Sequence, residues 1–212
     1  MSGLWVFVMI GLVPANEETR DEFLRRYGRA MAAWATVERE LSTLFWLVTQ
    51  IKPAMAIKIF YSARSFKERA DMFKAAIVAA DVSDDVKTIS RLLLSKSIKY
   101  NECITALEND IPNFDDMGKL LLVEVNAQVQ SDEIKRRSTN KGLNTSQLNI
   151  VANNFHTLAT IIFGFWTDLL LNKAPSPDKF REQLLQLPAD ARSKDPRPPA
   201  GQPKNQARAS EG

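Results

Sequence analysis

The chain has 212 residues, 45% apolar and 25% charged, the proportions of an ordinary folded domain rather than of a fibrous or low-complexity chain. One cysteine, Cys103, and one histidine, His156, exclude an intramolecular disulfide and a Cys/His zinc centre. A net charge of +3 is too small a surplus to carry nucleic-acid binding on electrostatics alone.

Leu4 to Val13 is an uninterrupted apolar run of ten residues, half of the roughly 20 that a membrane span needs. No basic segment precedes it, so it does not read as a secretory signal. Three readings fit it: an element docked on the domain, a membrane-surface anchor, or residues ahead of a true start at Met9. Residues 1–16 are therefore set apart as an apolar extension, with no transmembrane segment expected.

After Pro14 the spacing turns helical. Phe23, Tyr27, Ala30, Trp34, Val37, Leu41, Leu44, Val48 and Ile51 recur at steps of three and four, the stripe of a long amphipathic helix. Acidic residues at 17, 18, 21 and 22 suit its N-terminal dipole. Pro53 ends this helix or opens the next. A short helix over 54–63 should turn Ile57, Phe60 and Tyr61 inward. Ser65 with Glu68 three residues on predicts a capping box and a new helix to about Ala80. Ser83 caps another, whose stripe is Val86, Ile89, Leu93, Tyr100, Ile104, Leu107 and Ile111, closed by Pro112. Lys96, Ser97 and Asn101 interrupt its inward line.

From Leu121 to Gln130 the period becomes two, a half-buried strand, for which residues after Ser131-Asp132 could supply a hairpin partner. Asn144, Thr145 or Ser146 caps a last long helix with Leu148, Val151, Phe155, Leu158, Ile162, Phe165 and Leu169 on one face, ended by Pro175. Asn153, Asn154, His156 and Asp168 mark it as a bundle helix rather than a membrane span. Phe180, Leu184 and Leu187 share a face of a short amphipathic segment. From Pro188 the chain is rich in proline and poor in apolar residues, which predicts disorder. The expected fold is mainly all-α: a four- to five-helix bundle over 17–173, a small β element between the last two long helices, and a flexible, mildly basic tail over 174–212.

No Walker loop, dinucleotide fingerprint or nucleophile elbow occurs, so no cofactor and no metal are expected. Cys103 lies in an apolar helical setting and reads as a buried thiol. His156 stands one step off its stripe and reads as a boundary residue. Lys135, Arg136 and Arg137 with Lys141 form the one dense basic cluster, either a solvated loop or an anion or nucleic-acid contact.

The remaining signal is the polar stretch from Lys96 to Thr105. Together with Tyr27-Gly-Arg-Ala-Met-Ala-Ala-Trp-Ala-Thr-Val-Glu38 and Phe60-Tyr-Ser-Ala-Arg-Ser-Phe66, it resembles the bacterial HEPN-type proteins over about residues 20–171. The resemblance implies a four- to five-helix bundle that often dimerises. Active members carry Arg-Asn, three residues, then His on the third helix, and cleave RNA without metal, the imidazole doing acid–base work. The matching stretch here is Tyr100-Asn101-Glu102-Cys103-Ile104-Thr105. Asn101 is retained, whereas Tyr100 stands where Arg would be and Thr105 where His would be. Neither replacement supplies the cation or the titratable base. Tyr100 and Asn101 equally fit a buried polar contact that sets helix register.

The expectation is therefore a cytoplasmic, non-catalytic interaction or accessory protein, acting by self-association or on a protein partner. The alternative is a metal-independent ribonuclease using altered residues, with Lys96, Lys99, Asn101 and Glu102 as local candidates.

Overall fold

The computed structural model describes residues 17–114, 120–124 and 143–194. Among the described residues the sequence stripes become six helices: α1 (Glu17–Thr49), α2 (Pro53–Ser62), α3 (Phe66–Ala79), α4 (Asp84–Asn109), α5 (Thr145–Leu170) and α6 (Pro177–Leu185). Between α4 and α5 lies a small antiparallel sheet of β1 (Asp110–Phe114), β2 (Leu120–Glu124) and β3 (Leu143–Asn144), in the order β1-β2-β3. The molecule is mainly helical, a bundle with a small β element, as its periodicity predicted.

Helix α1 is the axis. At 1.5 Å per residue it runs about 50 Å, and Phe23, Ala30, Trp34, Val37, Leu41, Leu44 and Val48 are all buried along it. Its contacts fix the direction of each neighbour. Arg26 reaches the Thr145 carbonyl, Trp34 packs on Phe155, and the Trp166 indole N–H donates to Glu40 at 2.8 Å. Partner numbers rise together, so α1 and α5 lie parallel. Trp34–Phe66 and Phe45–Phe73 make α3 parallel to α1 as well. Tyr27 instead donates to the Leu107 carbonyl at 3.2 Å, which sets α4 antiparallel and puts the sheet at the N-terminal end of α1.

Helix starts follow local chemistry. Pro53 occupies the first turn of α2, where its missing N–H costs nothing. At α3 the capping box forms: Ser65 Oγ accepts from the Glu68 N–H, and the Glu68 carboxylate accepts from the Ser65 N–H at 3.1 Å. Asn144 makes a second box with Gln147 at the start of α5. Ser83 Oγ accepts from the Val86 N–H at α4.

Four expectations need correction. In α2, Phe60 and Ala56 form the inward row, while Ile57 and Tyr61 are 47% and 44% exposed; so short a helix against α1 buries one row only. Helix α4 stops at Asn109, and Ile111 pairs with Val123 across the β1–β2 ladder rather than extending the helical stripe. Among the described residues β1 is an edge strand, a place where a proline is tolerated because one side needs no ladder bond. Strand β2 thus pairs with β1 upstream and with β3 downstream; the anticipated partner at 134–137, the rest of the predicted strand beyond Glu124, and the apolar run 4–13 lie outside the described residues. Third, α5 ends at Leu170, ahead of Pro175, and the chain turns through Asn172 at φ 52° with the Lys173 N–H on the Asp168 carbonyl.

The fourth difference lies past α6. Residues 188–194, expected to be disordered, are docked on the bundle. Leu187, Pro188 and Ala191 are buried, and three side chains of α4 and α5 hold the backbone of this segment. Residues 195–212 lie outside the described residues. Helix α5 is long and apolar enough to cross a membrane, with mean hydropathy 1.2 over its most apolar window, half of which is buried inside the bundle.

Candidate functional site

Parts of the segments 27–38, 64–69 and 101–105 meet at one groove of about 470 Å³. Helix α1 contributes Met31, Trp34, Ala35 and Glu38, which lie on one face because they are spaced three and four apart. Helix α4 contributes Asn101, Ile104 and Thr105 on the same rule. The α3 N-terminus contributes Arg64, Ser65, Phe66, Lys67 and Arg69, presented there because the Ser65 capping box starts the helix at that point.

One wall is an ion pair. Arg69 meets Glu38 at 2.5 Å, with both side chains mostly buried at 14% and 17% exposure. The same guanidinium donates to the Ala63 carbonyl at 3.4 Å and lies 5.8 Å from the centre of the Tyr61 ring. This pair ties α3 to α1. Arg64 and Lys67 are exposed at the mouth, so the lining carries three cations against one carboxylate, and the groove is electropositive. Glu68 is turned back on the cap and accepts from the N–H groups of Arg64 and Ser65.

The candidate residues on α4 separate by face. Asn101 is half-buried and lines the groove. Thr105 is exposed at its edge, with its hydroxyl donating to the Asn101 carbonyl at 3.2 Å. Lys99 and Glu102 are exposed on α4 and line no part of the groove. Tyr100 points the other way. It is fully buried, its ring 5.9 Å from that of Phe155, and its hydroxyl donates to the Pro188 carbonyl at 3.0 Å. Burial pushes this hydroxyl well above the usual tyrosine range, and the nearby Asp190 carboxylate adds in the same direction. Tyr100 is therefore neutral throughout the physiological range and does no acid–base work there.

Lys96 is engaged with the same C-terminal segment. Its ammonium donates to the carbonyls of Leu187 and Pro188 and sits 4.8 Å over the Tyr100 ring. Ser97, the third polar interruption, is buried and donates to the Leu93 carbonyl of its own helix. Cys103 is buried, and His156 is exposed on α5. Among the described residues, no three His, Cys, Asp or Glu side chains cluster closely enough to hold a metal ion. Lys135, Arg136, Arg137 and Lys141 lie outside the described residues.

Sequence reasoning missed Arg64, Lys67 and Arg69 as groove residues. The signal was present in one respect: the Ser65–Glu68 box locates a helix N-terminus between two basic positions. Which helix face it would meet is a tertiary matter. No family model matches this chain, and comparison with curated proteins and with solved structures gave no match.

Proposed function

We propose that this chain is a non-catalytic interaction protein, similar to a HEPN domain whose catalytic motif has been turned to structural use, and that it works in the cytoplasm through self-association or a protein partner. The observation that carries this reading is the fate of Tyr100. It stands where the resemblance would place a phosphate-holding Arg, yet it is buried and committed to the Pro188 carbonyl. Thr105, at the position of the imidazole, returns its hydroxyl to its own helix. Neither of these two positions therefore supplies the cation or the imidazole that the motif would need.

A second reading, metal-independent RNA cleavage by altered residues, is favoured by one observation. The Asn101 amide opens on a groove whose mouth carries Arg64 and Lys67, groups suited to phosphate oxygens. The basic cluster Lys135, Arg136, Arg137 and Lys141 would serve the same reading as an anion contact.

Incubation of the purified protein with RNA in the presence of a chelator separates the two. The interaction reading expects no cleavage by the wild type. Cleavage that disappears in Asn101→Ala would overturn it. Thr105→His is the informative gain-of-function variant, because position 105 is exposed and accepts the ring; Tyr100→Arg would instead bury a charge and dislodge the C-terminal segment.

A further inference from the structure

Helices α4 and α5 barely touch each other directly. The gap between them is filled by the chain's own C-terminal segment, and the way it is held is specific. Phe180 of α6 packs edge-on against Phe165 of α5, with ring centres 5.1 Å apart. The segment then runs back antiparallel to α5. Lys96 donates to the carbonyls of Leu187 and Pro188, and Tyr100 to that of Pro188. Asn154 Nδ2 donates to the carbonyls of Ala191 and Ser193 at 2.8 and 3.0 Å.

All five bonds run from bundle side chains to backbone carbonyls of the segment, while Leu187, Pro188 and Ala191 enter apolar positions between the helices. Reading a guest by its main chain and a few apolar anchors is the manner of a peptide-binding groove. The link into the segment, Leu171–Ser176, is exposed except for Pro175 and spans at most about 20 Å. The segment follows the last long helix, so its departure breaks no other element.

We propose that the α4–α5 groove is a peptide-recognition groove closed in cis by residues 176–194, and that the same segment of a second copy can take its place, giving a segment-exchanged dimer. The bonds and anchors are identical for either occupant, so exchange changes only the link and the dependence on concentration. A short tether holds the cis segment at an effective concentration in the millimolar range, which keeps the closed form dominant in dilute protein. This inference does not depend on how the Asn101 groove is read, since it concerns other side chains of α4, Lys96 and Tyr100, which line no part of that groove.

The test uses the full-length chain and a fluorescein-labelled synthetic peptide of residues 176–194 as the second copy's segment. Leu187→Asp loosens the cis segment and leaves the groove side intact. The expected result is saturable binding of the peptide to Leu187→Asp, at least tenfold weaker binding to the wild type because the groove is already occupied, and loss of binding when Asn154→Ala is added. A folded Leu187→Asp chain that ignores the peptide overturns the proposal. Should that variant not fold, hydrogen exchange on the wild type decides. Exchange of 177–194 as a separate unit, ahead of α1 and α5, supports a releasable segment; protection equal to the core of α1 and α5 overturns it.

Discussion

Tyr100 and Asn101 are neighbours on α4, and the helix turns them about 100° apart, to different neighbours and different fates. On the strap face, Tyr100 and Lys96 give their polar groups to carbonyls of the C-terminal segment, beneath a cover of Leu187, Pro188 and Ala191. On the groove face, the Asn101 side chain opens on an electropositive cleft walled by the Glu38–Arg69 pair. The same polar interruption of one apolar stripe thus does two things: half of it fastens a peptide segment and half is left accessible. A buried polar group needs a partner and a half-exposed one does not, so a ligand is to be sought on the groove face, and on the strap face only after release.

The two faces share one ring. Phe155 is fully buried and contacts Trp34 of the groove wall and Tyr100 of the strap face. Phe155→Ala should therefore remove about 4 kcal/mol of stability and loosen both faces together, measured by denaturant unfolding and by hydrogen exchange at 64–69 and 187–193. Damage confined to one face would break the comparison.

Next in size is Glu38→Gln, which leaves the Arg69 guanidinium mostly buried without its counter-charge. A loss of about 3 kcal/mol is expected, with exchange rising at the α3 N-terminus and not at 187–193.

Tyr100→Phe keeps the ring and deletes one bond. Because Lys96 also donates to the Pro188 carbonyl, the cost should be only about 1 kcal/mol, read as faster exchange over 187–193. This variant also sharpens the comparison by pH. The folded protein holds the Tyr100 hydroxyl above its ordinary value of 10.0, so the neutral form is the one the fold favours. The associated stability is fully present below pH 10 and is lost as pH rises above it, by up to about 1.4 kcal/mol per pH unit. Alkaline unfolding curves of wild type and Tyr100→Phe should run parallel below pH 10 and converge above it.

The smallest effect belongs to Asn101→Ala. Half-exposed at the groove, it should change stability by less than about 0.5 kcal/mol. A larger loss would mean that Asn101 is a structural contact like Tyr100 and would erase the distinction between the faces.

The candidate site was only partly legible in the sequence. Of the local candidates on α4, Asn101 lines the groove, whereas Lys99 and Glu102 do not and Lys96 is bonded to the C-terminal segment; Trp34 was read only as a stripe residue. Arg64, Lys67 and Arg69 were not identified, because their meeting with α4 depends on α3 lying parallel to α1, which no short-range pattern encodes. Tyr100 looked like one more stripe residue or a displaced catalytic position; its use as an anchor depends on Pro188, 88 residues away.

What the sequence determined by itself is everything governed by near neighbours. The stripes of α1, α4 and α5 follow from apolar residues every three and four positions, the starts of α3 and α5 from the Ser65–Glu68 and Asn144–Gln147 boxes, and the start of α2 from Pro53. These depend on periodicity and on satisfying the first N–H groups of a helix, which are local matters. The tertiary structure alone decided that α1 and α5 run parallel, that β2 pairs with the strand before it, that Ile57 and Tyr61 face outward, and that residues 188–194 are ordered. A short segment whose apolar side chains are only Pro188, Ala189 and Ala191 cannot offset its own ordering entropy. It is held because a gap between α4 and α5 offers burial for Leu187, Pro188 and Ala191 and side-chain donors for its carbonyls, and that gap exists only once the bundle has assembled.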